Sequence, residues 1–476
     1  MSLADLLTIL PLMILAATPI VVMLVIAVYR SHVITVVLTC IGLVATIYYL
    51  PLTATPETGR IAQLLTLDKF ARFYIDLLIA AGLAAVLLSY GYLKSYAGYC
   101  EEYYVLMLLA LLGAAVVVAS SHFASFFLGL EILSIALYAL IAYPRLNETG
   151  VEAGLKYLVP AATSAAFLLF GMALIYAASG TMKLTEPAAF IYRKSAEGLS
   201  LLVMTGLIMM LVGIGFKLAV VPFHFWTPDV YQGAPAPVTA FVSTVSKGSL
   251  VGLIVRLFGQ ADIAALGSMF TILTVIVAAS MIFGNLLALL QSNVKRLLAY
   301  SSIAHIGYLL VAFMVGGTMG SAAVTFYLIA YFVMTLGAFG VVTVLSGPQQ
   351  EVEHIDDYRG LFWRRPWLGG AFTAMLLSLG GIPLSVGFIG KFYLVVAGVS
   401  ASFWFLIVVL LLTSGIGLFY YLRVVIAIFT PAPRASAPPA TLTVAGGLTL
   451  AALTLLLVYL GVTPALLIEI VRNMMV

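Results

Sequence analysis

Long apolar runs recur from one end of the chain to the other, separated by short polar stretches. A helix that crosses a bilayer needs about 20 mostly apolar residues. Runs and interruptions together predict about fourteen such spans, near 8–29, 33–51, 73–93, 103–120, 122–143, 155–179, 200–221, 236–258, 266–289, 298–317, 320–345, 367–397, 402–429 and 440–462. Three connections are long and polar enough to read as loops: Thr53–Arg72, Met182–Glu197 and Gly347–Arg365. The last carries Glu351, Glu353, His354, Asp356, Asp357 and Arg359. None is long enough for a soluble domain, so no extramembrane cofactor module is expected. The pattern reads as an all-α polytopic membrane protein, one transmembrane domain over residues 1–476.

Two spans are interrupted by proline. The seventh runs Leu211-Val-Gly-Ile-Gly-Phe-Lys217-Leu-Ala-Val-Val-Pro222, and the twelfth runs Leu379-Gly-Gly-Ile-Pro383-Leu-Ser-Val-Gly387-Phe-Ile-Gly-Lys391. Proline removes a backbone donor and clashes with the preceding turn, and in lipid the freed groups must find protein or water in a cavity. Broken helices at corresponding places in two halves point to a transport site at a repeat interface. The spacing of five spans between the breaks fits two five-helix inverted repeats, spans 4–8 (101–260) and 9–13 (261–430). Helices 1–3 (1–100) precede them and helix 14 (431–476) follows. A proline kink without transport is the bland alternative.

Composition narrows the class. Of 476 residues, 63% are hydrophobic and 8% charged, with a mean hydropathy of +1.18. A soluble domain carries roughly a quarter charged residues. The net charge of +4 brings no basic stripe of the kind a nucleic-acid partner requires. Cys40 and Cys100 lie far apart and belong to no CxxC or Cys/His cluster, which argues against a cysteine-ligated iron–sulfur site and a disulfide framework. The first apolar run continues to Tyr29 with no preceding Lys or Arg, unlike a secretory signal, so a retained first helix is expected. With both termini outside, ten Lys/Arg of the loops fall on the cytoplasmic side and eight outside. That is a slight bias of the expected sign.

Charges inside spans are costly and usually mark an ion pathway. Glu131 sits mid-way along the fifth span, Lys217 before the Pro222 break, Lys247 among Ser243, Thr244 and Ser246, and Lys391 after the second break. His305, in the tenth span, adds a residue type that changes charge near neutrality. Lys156 stands one turn from Glu152 at the start of the sixth span and reads equally well as interfacial. The deep cations are all Lys, whereas every Arg lies near a span end or in a loop. Arg keeps its proton under any reachable condition, while a desolvated Lys can release it. A structural ion pair tolerates Arg, and a relay does not. The bland readings are mutual neutralisation of Glu131 and Lys217, a snorkelling Lys156 and a hydrogen-bonded core His305.

The stretch from Gly213 through Lys217, Pro222, His224, Trp226, Pro228, Asp229, Tyr231 and Pro235 to Val238 resembles the signature of the antiporter-like membrane subunits of respiratory complex I. Leu128–Ser134, Asn293–Tyr308 and Gly380–Phe392 resemble the same family. The likeness runs over essentially the whole chain. It implies a proton-carrying subunit of an enzyme that passes electrons from NADH to quinone, in a bacterial inner membrane. Glu131 and Lys217 match the family's charged pair at the input half-channel, Lys247 the central connecting lysine and Lys391 the output lysine. His305 matches a polar position on the central axis. FMN, iron–sulfur clusters and quinone are expected in partner subunits, with no cofactor or metal on this chain. The chain offers no phosphate-cradling Gly-rich turn, cysteine cluster or paired haem histidines. Expected partners are a neighbouring antiporter-like subunit, small membrane subunits and lipid. The alternatives are a subunit of a multi-subunit cation/proton antiporter or membrane-bound hydrogenase, a free-standing carrier, and a structural scaffold.

Overall fold

The computed structural model describes residues 3–52, 60–61, 64–94, 96, 98–143, 148–184, 200–259, 263–348, 351–431 and 442–475. Among these, thirteen helices are long and apolar enough to cross a membrane. They are α1 (Leu3–Val28), α2 (His32–Leu52), α3 (Lys69–Leu93), α4 (Glu101–Ala119), α5 (Phe123–Ile141), α6 (Glu148–Ser179) and α7 (Leu201–Leu218), then α9 (Ala236–Phe258). The remaining five are α10 (Ser268–Leu289), α11 (Val294–Val315), α12 (Gly317–Leu345), α15 (Trp404–Phe429) and α16 (Val444–Val462). Another crossing is made of two shorter apolar helices, α13 (Pro366–Gly380) and α14 (Val386–Ser400). The short α8 (Trp226–Gly233) follows the break in α7, and α17 (Ala465–Met475) ends the chain. The all-α, fourteen-crossing expectation is borne out, with discontinuities at both proline sites.

Several boundaries differ from the apolar runs because polar caps extend the helices. Asp68 caps α3 by accepting from the Ala71 amide at 2.8 Å, so the helix starts within the expected Thr53–Arg72 loop. Asn293 caps α11 by accepting from the Arg296 amide at 3.1 Å, placing Lys295 and Arg296 in its first turn. Such caps satisfy amides that have no partner within the helix. Most of the expected Met182–Glu197 loop lies outside the described residues. The Gly347–Arg365 connection holds two short turns, Ile355–Tyr358 and Leu361–Arg364.

The two breaks share one local geometry. In α7 the Val220 amide donates to Gly215 O and the Ala219 amide to Phe216 O, both at 3.0 Å. In α13 the Ile382 amide donates to Leu377 O and the Gly381 amide to Ser378 O, again both at 3.0 Å. This paired closure requires one left-handed residue, supplied by Ala219 (φ 61) and Gly381 (φ 86). Proline then follows in each, as Pro222 and Pro383. The Trp226 indole donates to the Phe216 carbonyl at 3.0 Å, and the Val221 amide donates to Ser280 Oγ of α10 at 2.9 Å. The Phe216 carbonyl and the Val221 amide at the α7 break are thus met by protein.

The core lies around α9 and α12, which are buried from Ala236 to Val255 and from Ala323 to Leu345. α12 packs against α3, α9, α11, α13, α14, α16 and α17. α1 and α2 sit outside, turning Leu24, Val28 and Ile41 outward.

Candidate functional site

Lys217, one residue from the end of α7, is 3% exposed. Its Nζ donates to Ser134 Oγ of α5 at 2.7 Å and lies 5.2 Å from the centre of the Tyr157 ring on α6. Ser134 in turn donates to Leu130 O at 2.6 Å. Glu131 is half-buried, one turn earlier on the same face of α5. It is not hydrogen-bonded to Lys217, and its Oε1 is buried with no protein partner among the described residues. The charged pair is therefore drawn to one place without direct contact, with the Ser134 hydroxyl holding the ammonium. The sequence put Ser134 in view only as part of a motif. A serine in an apolar helix ordinarily bonds its own backbone, so nothing marked it as a lysine partner.

Lys247 follows a single π-helical stretch, Val242–Ser246, within α9. Such bulges concentrate at functional positions. Its Nζ donates to Ser302 Oγ of α11 at 2.7 Å, and Ser302 shares a 2.7 Å hydrogen bond with the Tyr331 hydroxyl of α12. The Tyr231 ring of α8 lies 5.7 Å from the ammonium. Ser243 and Thr244, expected around Lys247, bond instead to Ala240 O at 2.9 and 2.6 Å.

Lys391 stands in α14 against the end of α13. Its Nζ donates to Leu379 O at 2.9 Å, Gly380 O at 3.0 Å and Ser414 Oγ at 2.9 Å. The three ammonium hydrogens thus meet three neutral acceptors. Two of these are carbonyls left over at a helix C-terminus, where the dipole favours a cation. Tyr308 lies 5.4 Å away. His305 stands between the two lysine sites, sharing hydrogen bonds with the hydroxyls of Tyr327 at 2.7 Å and Tyr421 at 3.1 Å.

Aromatic and hydroxyl side chains join these stations. From Lys217 the row passes Tyr157 and Trp226, 4.8 Å apart between ring centres, then Tyr231 at 6.4 Å, and reaches Lys247. Beyond Lys247 it passes Ser302, Tyr331 and His305, the last two 5.7 Å apart, then Tyr308 at 5.5 Å, and reaches Lys391. Lys217, Lys247 and Lys391 share one property: each is held by neutral groups, with no carboxylate in ion-pair contact among the described residues. Protonated and neutral forms are both compatible with such surroundings.

Lys156 stands apart from this row. Its side chain is 46% exposed and pairs with Glu152 at 2.7 Å and Asp229 at 3.0 Å. Asp229 also accepts from Arg296 at 2.6 Å. Partial burial opposes ionisation of Asp229, but the hydrogen bonds from Arg296 and Lys156 outweigh it and hold the carboxyl below its usual value. A carboxyl lowered by folding stabilises the fold above its unfolded pKa of about 4 and loses that contribution as pH falls through the lower native value. Asp229→Asn is accordingly expected to lower thermal stability of the solubilised protein slightly at pH 7. The difference, on the order of 1 kcal/mol at most, should shrink as pH falls below 4, checked by melting curves at a series of pH values. Among the described residues there is no cluster of His, Cys, Asp and Glu that could hold a metal ion.

Residues 120–417 match the family described as NADH:quinone oxidoreductase/Mrp antiporter, TM. This segment includes both breaks and all three buried lysines of the row. The chain belongs to that family. A relative in Ectopseudomonas mendocina, NADH-quinone oxidoreductase subunit N, is 47% identical over 98% of this chain and 96% of its own length. Another of the same name in Nitrosospira multiformis is 48% identical over 98% of this chain and 96% of its own length. Among solved structures of similar fold, a chain of respiratory complex I from Thermus thermophilus with bound aureothin superposes with a TM-score of 0.82. It is 33% identical and covers 96% of this chain and 98% of itself. A chain of the Mrp complex from Dietzia sp. DQ12-45-1b reaches a TM-score of 0.86 at 21% identity, covering 100% of this chain and 97% of its own. At that identity the likeness is one of fold. The family resemblance seen in the sequence is borne out.

Proposed function

We propose that this chain is a proton-translocating antiporter-like subunit N of a bacterial NADH–quinone oxidoreductase, seated in the inner membrane with both termini outside. The observation that carries the reading is the row Lys217, Lys247, Lys391. These are three buried lysines held by hydroxyls and carbonyls and joined by Tyr, His and Trp side chains. Residues 101–260 and 261–430 act as two units, each with a broken helix, with Lys247 at the end of the first and His305 and Lys391 in the second. Glu131 and Lys217 load a proton. Lys247 and His305 carry it along the centre, and Lys391 releases it beside the second break. Lys156 serves as an interfacial support for the α8 end. FMN, iron–sulfur centres and quinone reside on partner subunits, so the chain takes part in catalysis only within the assembly.

Glu131→Gln tests the loading step. It removes the charge while keeping size and hydrogen bonding, so the complex should assemble. Lys217 then lacks its counter-charge and fails to reload. NADH-driven pH-gradient formation in membrane vesicles, normalised to assembled complex, is expected to fall severalfold, with Glu131→Asp recovering much of it. Wild-type pumping by Glu131→Gln would leave Glu131 a structural charge. The fold likeness to the Mrp complex supports a second reading, a cation/proton antiporter subunit. That reading predicts cation-driven proton exchange in vesicles without NADH.

A further inference from the structure

A fourth buried lysine lies outside the row. Lys295, in the first turn of α11, is fully buried. Its Nζ donates to Gln232 O and Ala234 O, both at 2.7 Å, and to Glu351 Oε2. The two carbonyls belong to the C-terminal end of α8 and the residue after it. Glu351, in the connection between α12 and α13, accepts through its other oxygen from the Ala236 amide at 2.9 Å and the Tyr92 hydroxyl at 2.7 Å. Glu353 in the same connection accepts from Gln232 Nε2 at 3.1 Å and Asn293 Nδ2 at 2.6 Å. The junction from α8 to α9 is thus tied to α3, to α11 and to this connection by buried and half-buried bonds.

Lys295 and Lys391 both place an ammonium on the C-terminal carbonyls of a short helix, yet they differ in one respect. Lys295 has a carboxylate partner and Lys391 has none. With two carbonyls and a carboxylate around it, Lys295 is a strut that ties α11 to the α8–α9 junction and the connection after α12, whereas Lys391 meets only neutral acceptors. What the strut holds is Tyr231. That residue lies immediately before Gln232, with its ring 5.7 Å from Lys247 Nζ and a fully buried hydroxyl turned toward Ser302. Along α11, Lys295 and Ser302 are seven residues apart and share a face, about 10 Å from one another. Ser302 binds Lys247 directly.

We propose that Lys295 and Glu351 form a positioning pair for Lys247. By clamping the α8–α9 junction, they keep the Tyr231 ring and hydroxyl beside the Lys247 ammonium. The pair carries no proton itself. It acts through Tyr231, and it rests on the relay reading of Lys247.

The test compares Glu351→Gln, Glu351→Asp, Tyr358→Phe and Lys247→Ala in the whole complex. Each is scored by blue-native gel for assembly, by protons moved per NADH oxidised in vesicles, and by the pH profile of pumping. Tyr358→Phe is the packing control, because it frees the same connection from Val352 O without touching Lys295. Glu351→Gln is expected to assemble, to lose at least about half of the protons per NADH and to move the pH profile. Glu351→Asp should restore most of the ratio, and Tyr358→Phe should keep it. A wild-type ratio and profile in assembled Glu351→Gln overturn the proposal, as does an equal fall in Tyr358→Phe. Should Glu351→Gln fail to assemble, Lys295→Arg replaces it: the charge is kept but the donors move, so a lowered ratio supports positioning and an unchanged one overturns it. Normal pumping by Lys247→Ala would instead overturn the relay reading, which separates the two failures.

Discussion

Complex carrying Lys217→Ala assembles near the wild-type amount and loses at least about tenfold in NADH-driven pumping. The substitution deletes the ammonium that Ser134 holds, and Glu131 keeps a buried oxygen with no partner. Hydrogen bonds to charged groups contribute about 1.5–3 kcal/mol, and each 1.4 kcal/mol at a rate-determining step is about tenfold. Assembly survives because Lys217 makes no direct ion pair that holds two helices together. The closure of α7 comes from the Val220 and Ala219 amides and the Trp226 indole instead. Lys217→Arg is the sharper arm. Arg keeps its charge and can still bond Ser134, yet it does not release a proton. Pumping is expected to stay low in Lys217→Arg, measured in purified complex reconstituted into vesicles. Full pumping there would show that a fixed cation suffices and that the relay assignment is wrong.

Lys391→Ala has a comparable effect at the other end of the row. Removing the ammonium leaves Leu379 O, Gly380 O and the Ser414 hydroxyl without their donor, at a helix end surrounded by protein. Pumping should fall about tenfold or more, with a smaller fall in assembled complex on a blue-native gel. Equal losses would point to packing damage. Gly381→Ala gives an independent handle. A Cβ there would sit 3.0 Å from Lys391 Cδ and 3.2 Å from Nζ, on a backbone with φ 86 that disfavours any side chain. It should displace the lysine without removing it and reduce pumping severalfold.

The crossings were legible because a bilayer is the one solvent that favours apolar runs of such length, and the breaks were legible because Pro222 and Pro383 interrupt those runs. The lysines stood out in the same way, as charges where neighbours are apolar. What escaped is what depends on pairing across the fold. Ser134 is an ordinary helix residue until Lys217 of α7 meets it. Lys295 fell outside the tenth span, whose apolar run begins near 298. Its carboxylate partner lies 56 residues away in a polar connection, and no local pattern links the two. The π-helical stretch before Lys247 carries no sequence mark, since its Val, Ser and Thr suit an ordinary helix end. α17 was hidden by mixed polarity, with Glu469 and Arg472 among Leu, Ile and Val. Lys156, at the start of the sixth span, was legible only as an even choice between relay and interface, because its partner Asp229 lies on α8, 73 residues away.

The burial of α12 has a bearing on how the bilayer can act on the row. Tyr327 and Tyr331, which hold His305 and Ser302, both sit on α12, and that helix is buried in protein from Ala323 to Leu345. A change in bilayer thickness is absorbed by tilt and adjustment of helices that touch lipid, such as α1 and α2. Such a change reaches the tyrosines only after passing through an outer ring of helices. The hydroxyl geometry at the centre is therefore insulated from membrane thickness and lipid composition, as an instrument mounted on an inner frame is insulated from its casing.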